Sequence, residues 1–312
     1  MLAPSALAQV LVPTGLTLLA AVALAAPDAG ARERKSTRGS ATCLAPQGTN
    51  EGLVVGIEGN GDLRLADGRL LTLAGILLAP GPADNAVPRP ELGALLGSEV
   101  HFHVLQPAAD RWGRLSADIL LPKSLAGAQS ASRSVSGEAG SRKAKTTAEM
   151  SMDLGAEPAY TVAQWLVDAG LARAAPDAAV TPLSRPCMKA LLAREDKARA
   201  DRRGQWEDAA AVLAASEPEA ILAKAGDFAV IEGIIVSVRE REHVTYLNFG
   251  SQWTRDFTVT IWKKNRAKFA AAGLRFAELD GRRIRVRGMV EAGRGPLIDV
   301  LTPEQIEVIG TE

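Results

Sequence analysis

Cysteine and histidine are scarce in this chain, with 2 and 3 copies. Four-thiolate zinc sites and clustered Cys/His sites are therefore excluded by counting. A Ser-His-Asp triad would have to draw on His101, His103 or His243, and no GxSxG, GxxxxGK[ST] or HExxH stretch accompanies them. Charge of one sign is not in excess either: 36 basic residues balance 36 acidic ones. That argues against a polyanion binder held by bulk charge, while leaving room for a local basic face. Aromatics make up only 4%, so small side chains must fill much of the core. What is present is ordinary for a folded protein: 47% hydrophobic and 23% charged residues in a chain of 312. That length predicts about two domains.

Residues 9–26 carry no charge, are rich in Leu, Val and Ala, and end in Ala-Leu-Ala-Ala-Pro. This reads as a secretory signal over residues 1–26, cleaved near Ala25. No Lys or Arg precedes the run, and the alternative is an uncleaved anchor. Pro13 and Gly15 interrupt the run and leave it short for a span. The expectation is a periplasmic or secreted protein with no membrane span after cleavage. Export permits a disulfide. Pairing Cys43 with Cys187 would pin the N-terminal arm to the body; the alternative is two separate thiols.

Residues 27–50 read as a solvated, flexible arm. Beyond it, strands are expected at Leu53–Ile57, Leu63–Ala66, Arg69–Leu78, Val100–Leu105 and Arg114–Leu121, with Asp67-Gly68 as a hairpin turn. Residues 122–157, dominated by Ser, Ala, Gly and Lys, read as a disordered insertion. Val162, Trp165 and Leu166 recur at helical spacing, and Pro186–Gly204 reads as a second helix. Residues 207–225 are Ala-rich and read as a connecting helix. A second strand series follows at Phe228–Val238, Val244–Phe249, Asp256–Trp262, Arg282–Val290 and Leu297–Leu301, with a helix at Asn265–Ala272. Five strands with a helix between the third and fourth is the OB-type barrel pattern.

The segments Ile57-Glu58-Gly59-Asn60-Gly61-Asp62, Thr72–Pro80, Asp110-Arg111-Trp112-Gly113-Arg114, Trp165–Ala172 and Arg194–Trp206 occur in one order. Together they make residues 51–206 resemble the thermonuclease, or staphylococcal-nuclease-like, family. The resemblance implies an OB-type barrel followed by helices, and phosphodiester cleavage with one calcium ion. It also implies an Arg, an Asp and a Glu around the third strand, which stabilise the phosphate, bind calcium and orient water. Thr72, Leu77 and Gly81 stand at those three places. Asp62 and Arg114 are the residual candidates, with Glu58 and Asp67 as further carboxylates. Losing these groups together removes Lewis-acid, charge-stabilising and water-activating roles. The domain is therefore expected to be inactive, with no cofactor.

Residues 226–312 resemble the OB-type nucleic-acid-binding barrels. The expected fold is thus α+β, mainly β, with two five-stranded barrels. Strand alternation places Arg283, Arg285 and Arg287 on one face, and Lys263, Lys264, Tyr246 and Trp253 supply further cations and aromatic surface. Aromatic platforms beside cations suit single-stranded nucleic acid. The other reading pairs these arginines with acids and makes some of the aromatics core. The function expected is an exported binding module for single-stranded nucleic acid or for an envelope protein. The alternative is a divergent calcium-dependent nuclease.

Overall fold

A computed structural model describes residues 50–79, 90–122, 160–176 and 183–310. All of them fall in one compact unit, residues 40–312. The expected signal and nearly all of the arm and the insertion lie outside the described residues.

The first half is a closed barrel. Its strands are β1 (Asn50–Ile57), β2 (Leu63–Leu65), β3 (Leu70–Leu73), β5 (Glu99–Val104) and β6 (Arg114–Ile119), in the order β1-β2-β3-β6-β5. Alternation sends Val54, Leu63, Leu65, Leu71, Phe102 and Ile119 into its core. The strand expected over Arg69–Leu78 splits. Gly75 takes φ +76° between β3 and β4 (Ile76–Leu78), and β4 leaves the barrel to pair with β7 (Ala172–Ala174). The left-handed turn is open to glycine at little cost. Helix α1 (Val162–Asp168) opens with a capping box between Thr161 and Gln164. Helix α2 (Arg185–Ala200) begins with Pro186 in its first turn. Both helices pack on the barrel through Val162, Leu166, Met188, Leu191 and Leu192.

The single helix expected over 207–225 does not form. Two 3-10 turns, the short strand β8 (Leu213–Ala214) and helix α3 (Pro218–Leu222) stand there instead. Pro218 starts a new helix, and β8 is drawn into a parallel pair with β9 (Phe228–Ile234). The second half continues with β10 (Ser237–Glu240), β11 (Val244–Asn248), β12 (Thr258–Trp262) and α4 (Lys263–Ala271). It closes with β13 (Arg283–Met289), β14 (Glu291–Ala292), β15 (Pro296–Asp299) and β16 (Ile306–Val308). These strands do not close into a second barrel. They form a five-stranded sheet, β10-β11-β12-β15-β14, and a four-stranded one, β16-β13-β9-β8. The cause is a break in the strand expected over Phe228–Val238. Its first part pairs with β13, its last part with β11, and Ile235-Val236 separate the two. Ile231, Leu247, Phe257, Val259, Phe269, Val286 and Ile298 form one core shared by both sheets.

The Cys187 thiol is buried and unpaired. It belongs to the first turn of α2 and points into the packing of that helix, so the expected Cys43–Cys187 bond is absent. Cys43 lies outside the described residues.

Candidate functional site

The first barrel carries an open cleft of about 450 Å³ lined by Glu58, Asn60, Asp62, Arg64, Trp112 and Arg114, among others. Asp110 fixes the loop that carries Trp112 and Arg114. Its carboxylate accepts the Trp112 and Arg114 backbone N–H groups at 2.9 Å each and Arg114 Nε at 2.8 Å. Burial pushes the Asp110 carboxyl up, but these bonds outweigh it and hold it below the ordinary carboxylate range. The loop so fixed presents Trp112 to solvent, with the Arg111 and Arg114 guanidinium groups 4.0 and 4.7 Å from its ring. Asp62 is only 3% exposed. It accepts Asn60 Nδ2 at 2.6 Å and stands 3.5 Å from Arg114 Nη1.

The other candidate carboxylates are each engaged by an arginine. Glu58, in the same cleft, is paired with Arg64 at 2.5 Å, and Asp67 is bonded to Arg69 in the hairpin. Leu78 fills the neighbouring space, so that a Cβ on Gly61 would meet its Cδ1 at 2.1 Å. Among the described residues no three His, Cys, Asp or Glu side chains gather as a metal site. A hard cation needs six or more oxygen ligands. One buried carboxylate already engaged by an amide and a guanidinium does not fit the calcium ion that the thermonuclease resemblance implies.

The three arginines on β13 occupy a different place from the one expected. Arg287 is 0% exposed. Its Nη1 lies 2.8 and 2.9 Å from the Glu195 carboxylate oxygens and donates to the Ala174 carbonyl at 3.2 Å. Its Nη2 meets Glu307. Arg285 bonds Glu232 at 2.8 Å and Glu307 at 3.2 Å, and Arg283 bonds Glu232 at 3.0 Å. Glu195 belongs to α2, so this network fastens the second half to the first. Arg287 is therefore closed to a ligand. The charges are met by Glu195, Glu232 and Glu307, which lie far apart in sequence from β13. Burial presses on the Glu307 carboxyl from one side, but Arg287, Arg199 and Arg285 hold it below its ordinary value.

The outer face of the five-stranded sheet is built differently. Register places Arg239 opposite Tyr246 and Ser237 opposite Asn248. Tyr246 and Asn248 in turn stand opposite Thr260 and Thr258. Tyr246 is 37% exposed, and Trp253, in the loop after β11, is 56% exposed. Two clefts share Tyr246, Asn248 and Trp253. One, of about 410 Å³, adds Val236, Arg239 and Arg241; the other, of about 180 Å³, adds Thr258, Thr260 and Arg294. The Arg294 guanidinium lies 5.0 Å from the Trp253 ring. Arg239, Arg241 and Arg294 are exposed, and among the described residues none has a carboxylate partner. Nearby, Trp262 Nε1 donates to Asp299 at 3.0 Å, which ties down that acid. Lys263 and Lys264 are exposed in the first turn of α4 and line neither cleft.

Of the residues expected to bind, Tyr246 and Trp253 thus share one surface, while Arg283, Arg285 and Arg287 are used internally. Sequence reasoning missed Arg239, Arg241 and Arg294. The alternation of Ser237 and Arg239 along β10, continued by Arg241 just past its end, was the available signal for two of them. In comparisons with known proteins, the chain matches no family model and no curated protein sequence.

Proposed function

We propose that this protein is an exported, non-hydrolytic binding module for single-stranded nucleic acid, gripping its ligand on the outer face of the five-stranded sheet. The observation that carries the reading is the meeting of half-exposed Tyr246 and Trp253 with three arginines that, among the described residues, form no ion pair with a carboxylate. Every base has a face that can stack on an aromatic ring, and unpaired guanidinium groups supply phosphate contacts without sequence choice. The first barrel supports the non-hydrolytic part, because Asp62 is the one buried carboxylate of its cleft and the other, Glu58, is paired with Arg64. The uncharged run at residues 9–26 supports export.

The test is oligothymidine binding by the full chain, read from tryptophan fluorescence. Tyr246→Ala and Trp253→Ala should each cost about 1–3 kcal/mol of binding. Exchanging Arg239 and Arg241 together for Gln should lower the salt slope by about 1.4, at about 0.7 per lost contact. Absence of oligonucleotide binding by the parent, or aromatic variants that bind as the parent does, would overturn the reading. An envelope protein is the second possible ligand, favoured by the exposed Val236 in the wall of the larger cleft. Failure of every oligonucleotide would leave that one standing.

A further inference from the structure

Asp118 lies on β6 with its side chain on the outer side of the barrel, opposite to the inward Ala117 and Ile119. It is 4% exposed. Ala74, Thr161, Gln164, Leu183, Cys187 and Leu191 surround it, leaving a gap of about 10 Å³. That is room for about one water at most. No donor among the described residues reaches its carboxyl, and burial alone pushes its pKa up to about 7. Among the described residues, few titratable groups face it. From β5, His103 stands directly across the strand pair, with Nδ1 buried and unbonded. From α2 comes the buried Cys187 thiol. Helix α1, the turn before β4 and Leu183 present no titratable group to the gap.

A neutral carboxylic acid fits this enclosure. A carboxylate there would be a buried charge that no described donor bonds, which is among the costliest things a fold can hold. The helix closing the enclosure is α2, whose N-cap Ser184 makes no side-chain bond that would hold its first turn. We propose that Asp118 is a proton latch on α2: its neutral acid lets the helix seat on the barrel, and loss of that proton loosens the first turn until water enters. Helix α2 also carries Glu195 to Arg287, so loosening it weakens the grip on the second half.

The sign follows from linkage. Below about pH 4 the carboxyl is protonated in the folded and unfolded chain alike, and stability does not depend on it. Between there and about pH 7 the folded chain holds a proton that the unfolded chain has lost. Each unit rise in pH then raises the unfolding constant by up to about tenfold. Above about pH 7 the loss is complete and the curve is level again.

The experiment uses the full chain and Asp118→Asn, which is neutral at every pH. Urea unfolding and amide exchange of α2 are followed from about pH 5 to about pH 8.5, across the interval where linkage acts. Maleimide labelling of Cys187, located by peptide mass, is measured in both proteins at each pH. The wild type should lose stability and gain α2 exchange up to about pH 7. Its Cys187 labelling, taken relative to the variant at the same pH, should rise over the same interval. Identical pH courses in the two proteins would overturn the latch. If the Asn variant fails to fold, the carboxyl ¹³C titration of Asp118 in the wild type decides. A folded-state midpoint near the ordinary 3.8 would overturn the proposal, and one near 7 would support it.

Discussion

Arg287 is a fully enclosed guanidinium on a strand whose sequence presents it as one of three equivalent arginines. Burial favours its neutral form, but Glu195 and Glu307 outweigh that and raise its affinity for the proton. Removing one partner of such a pair leaves the other charge buried and alone. Arg287→Met should therefore destabilise the protein by about 3–5 kcal/mol, whereas Arg283→Gln, at the exposed end of the row, should change stability by less than about 1 kcal/mol. Urea melts of the two variants check this contrast, and equal losses would argue against the buried pairing. Cys187 allows a second test. In the unfolded, unreduced chain its thiol should react fully with a maleimide, because the structure holds it unpaired.

Among the elements, α1 is short and rests on its ends. Thr161 and Gln164 satisfy each other's backbone donors at its start, and Val162, Ala163, Leu166 and Val167 are buried against the barrel. Seven residues cannot sustain a helix alone in water, so the cap and the packing together maintain it. Thr161→Val keeps the side-chain shape and removes the capping oxygen. The expected loss is about 0.5–2 kcal/mol, with faster amide exchange confined to the first turn of α1. The five-stranded sheet illustrates the other way an element acquires a role. Its inner face supplies Leu247, Val259 and Ile261 to the core, which leaves its outer face free to display Tyr246 beside Arg239.

For the molecule as a whole, the network of Glu195, Arg199, Arg285, Arg287 and Glu307 joins two separately built cores. Two halves tied by buried charges should melt together. Calorimetry of the wild type should show one transition, and Arg287→Met should split it or lower it. Calcium tests the first cleft without relying on activity. Anything that binds the folded chain selectively raises its melting temperature in proportion to the logarithm of its concentration. With Asp62 as the one buried carboxylate of that cleft, about 1 mM calcium should leave the melting temperature unchanged. A rise that a chelator reverses would show a cation site and reopen the hydrolytic alternative.

Much of this organisation was legible in local patterns. Alternating apolar residues in short runs between turn signals marked the strands of the first barrel, and Asp67-Gly68 marked its hairpin, because period and turn chemistry are properties of neighbouring residues. Thr72, Leu77 and Gly81 were legible as departures from the Arg, Asp and Glu that the resemblance implies. The aromatic half of the candidate site, Tyr246 and Trp253, was legible too. Which cations accompany it was not. Alternation shows that Arg283, Arg285 and Arg287 share a face, but whether that face meets solvent or Glu195 depends on how α2 lies against β13, a contact spanning 92 residues of sequence. In the same way, the break at Ile235-Val236 and the enclosure of Asp118 arise where distant segments meet, and no local pattern encodes such a meeting.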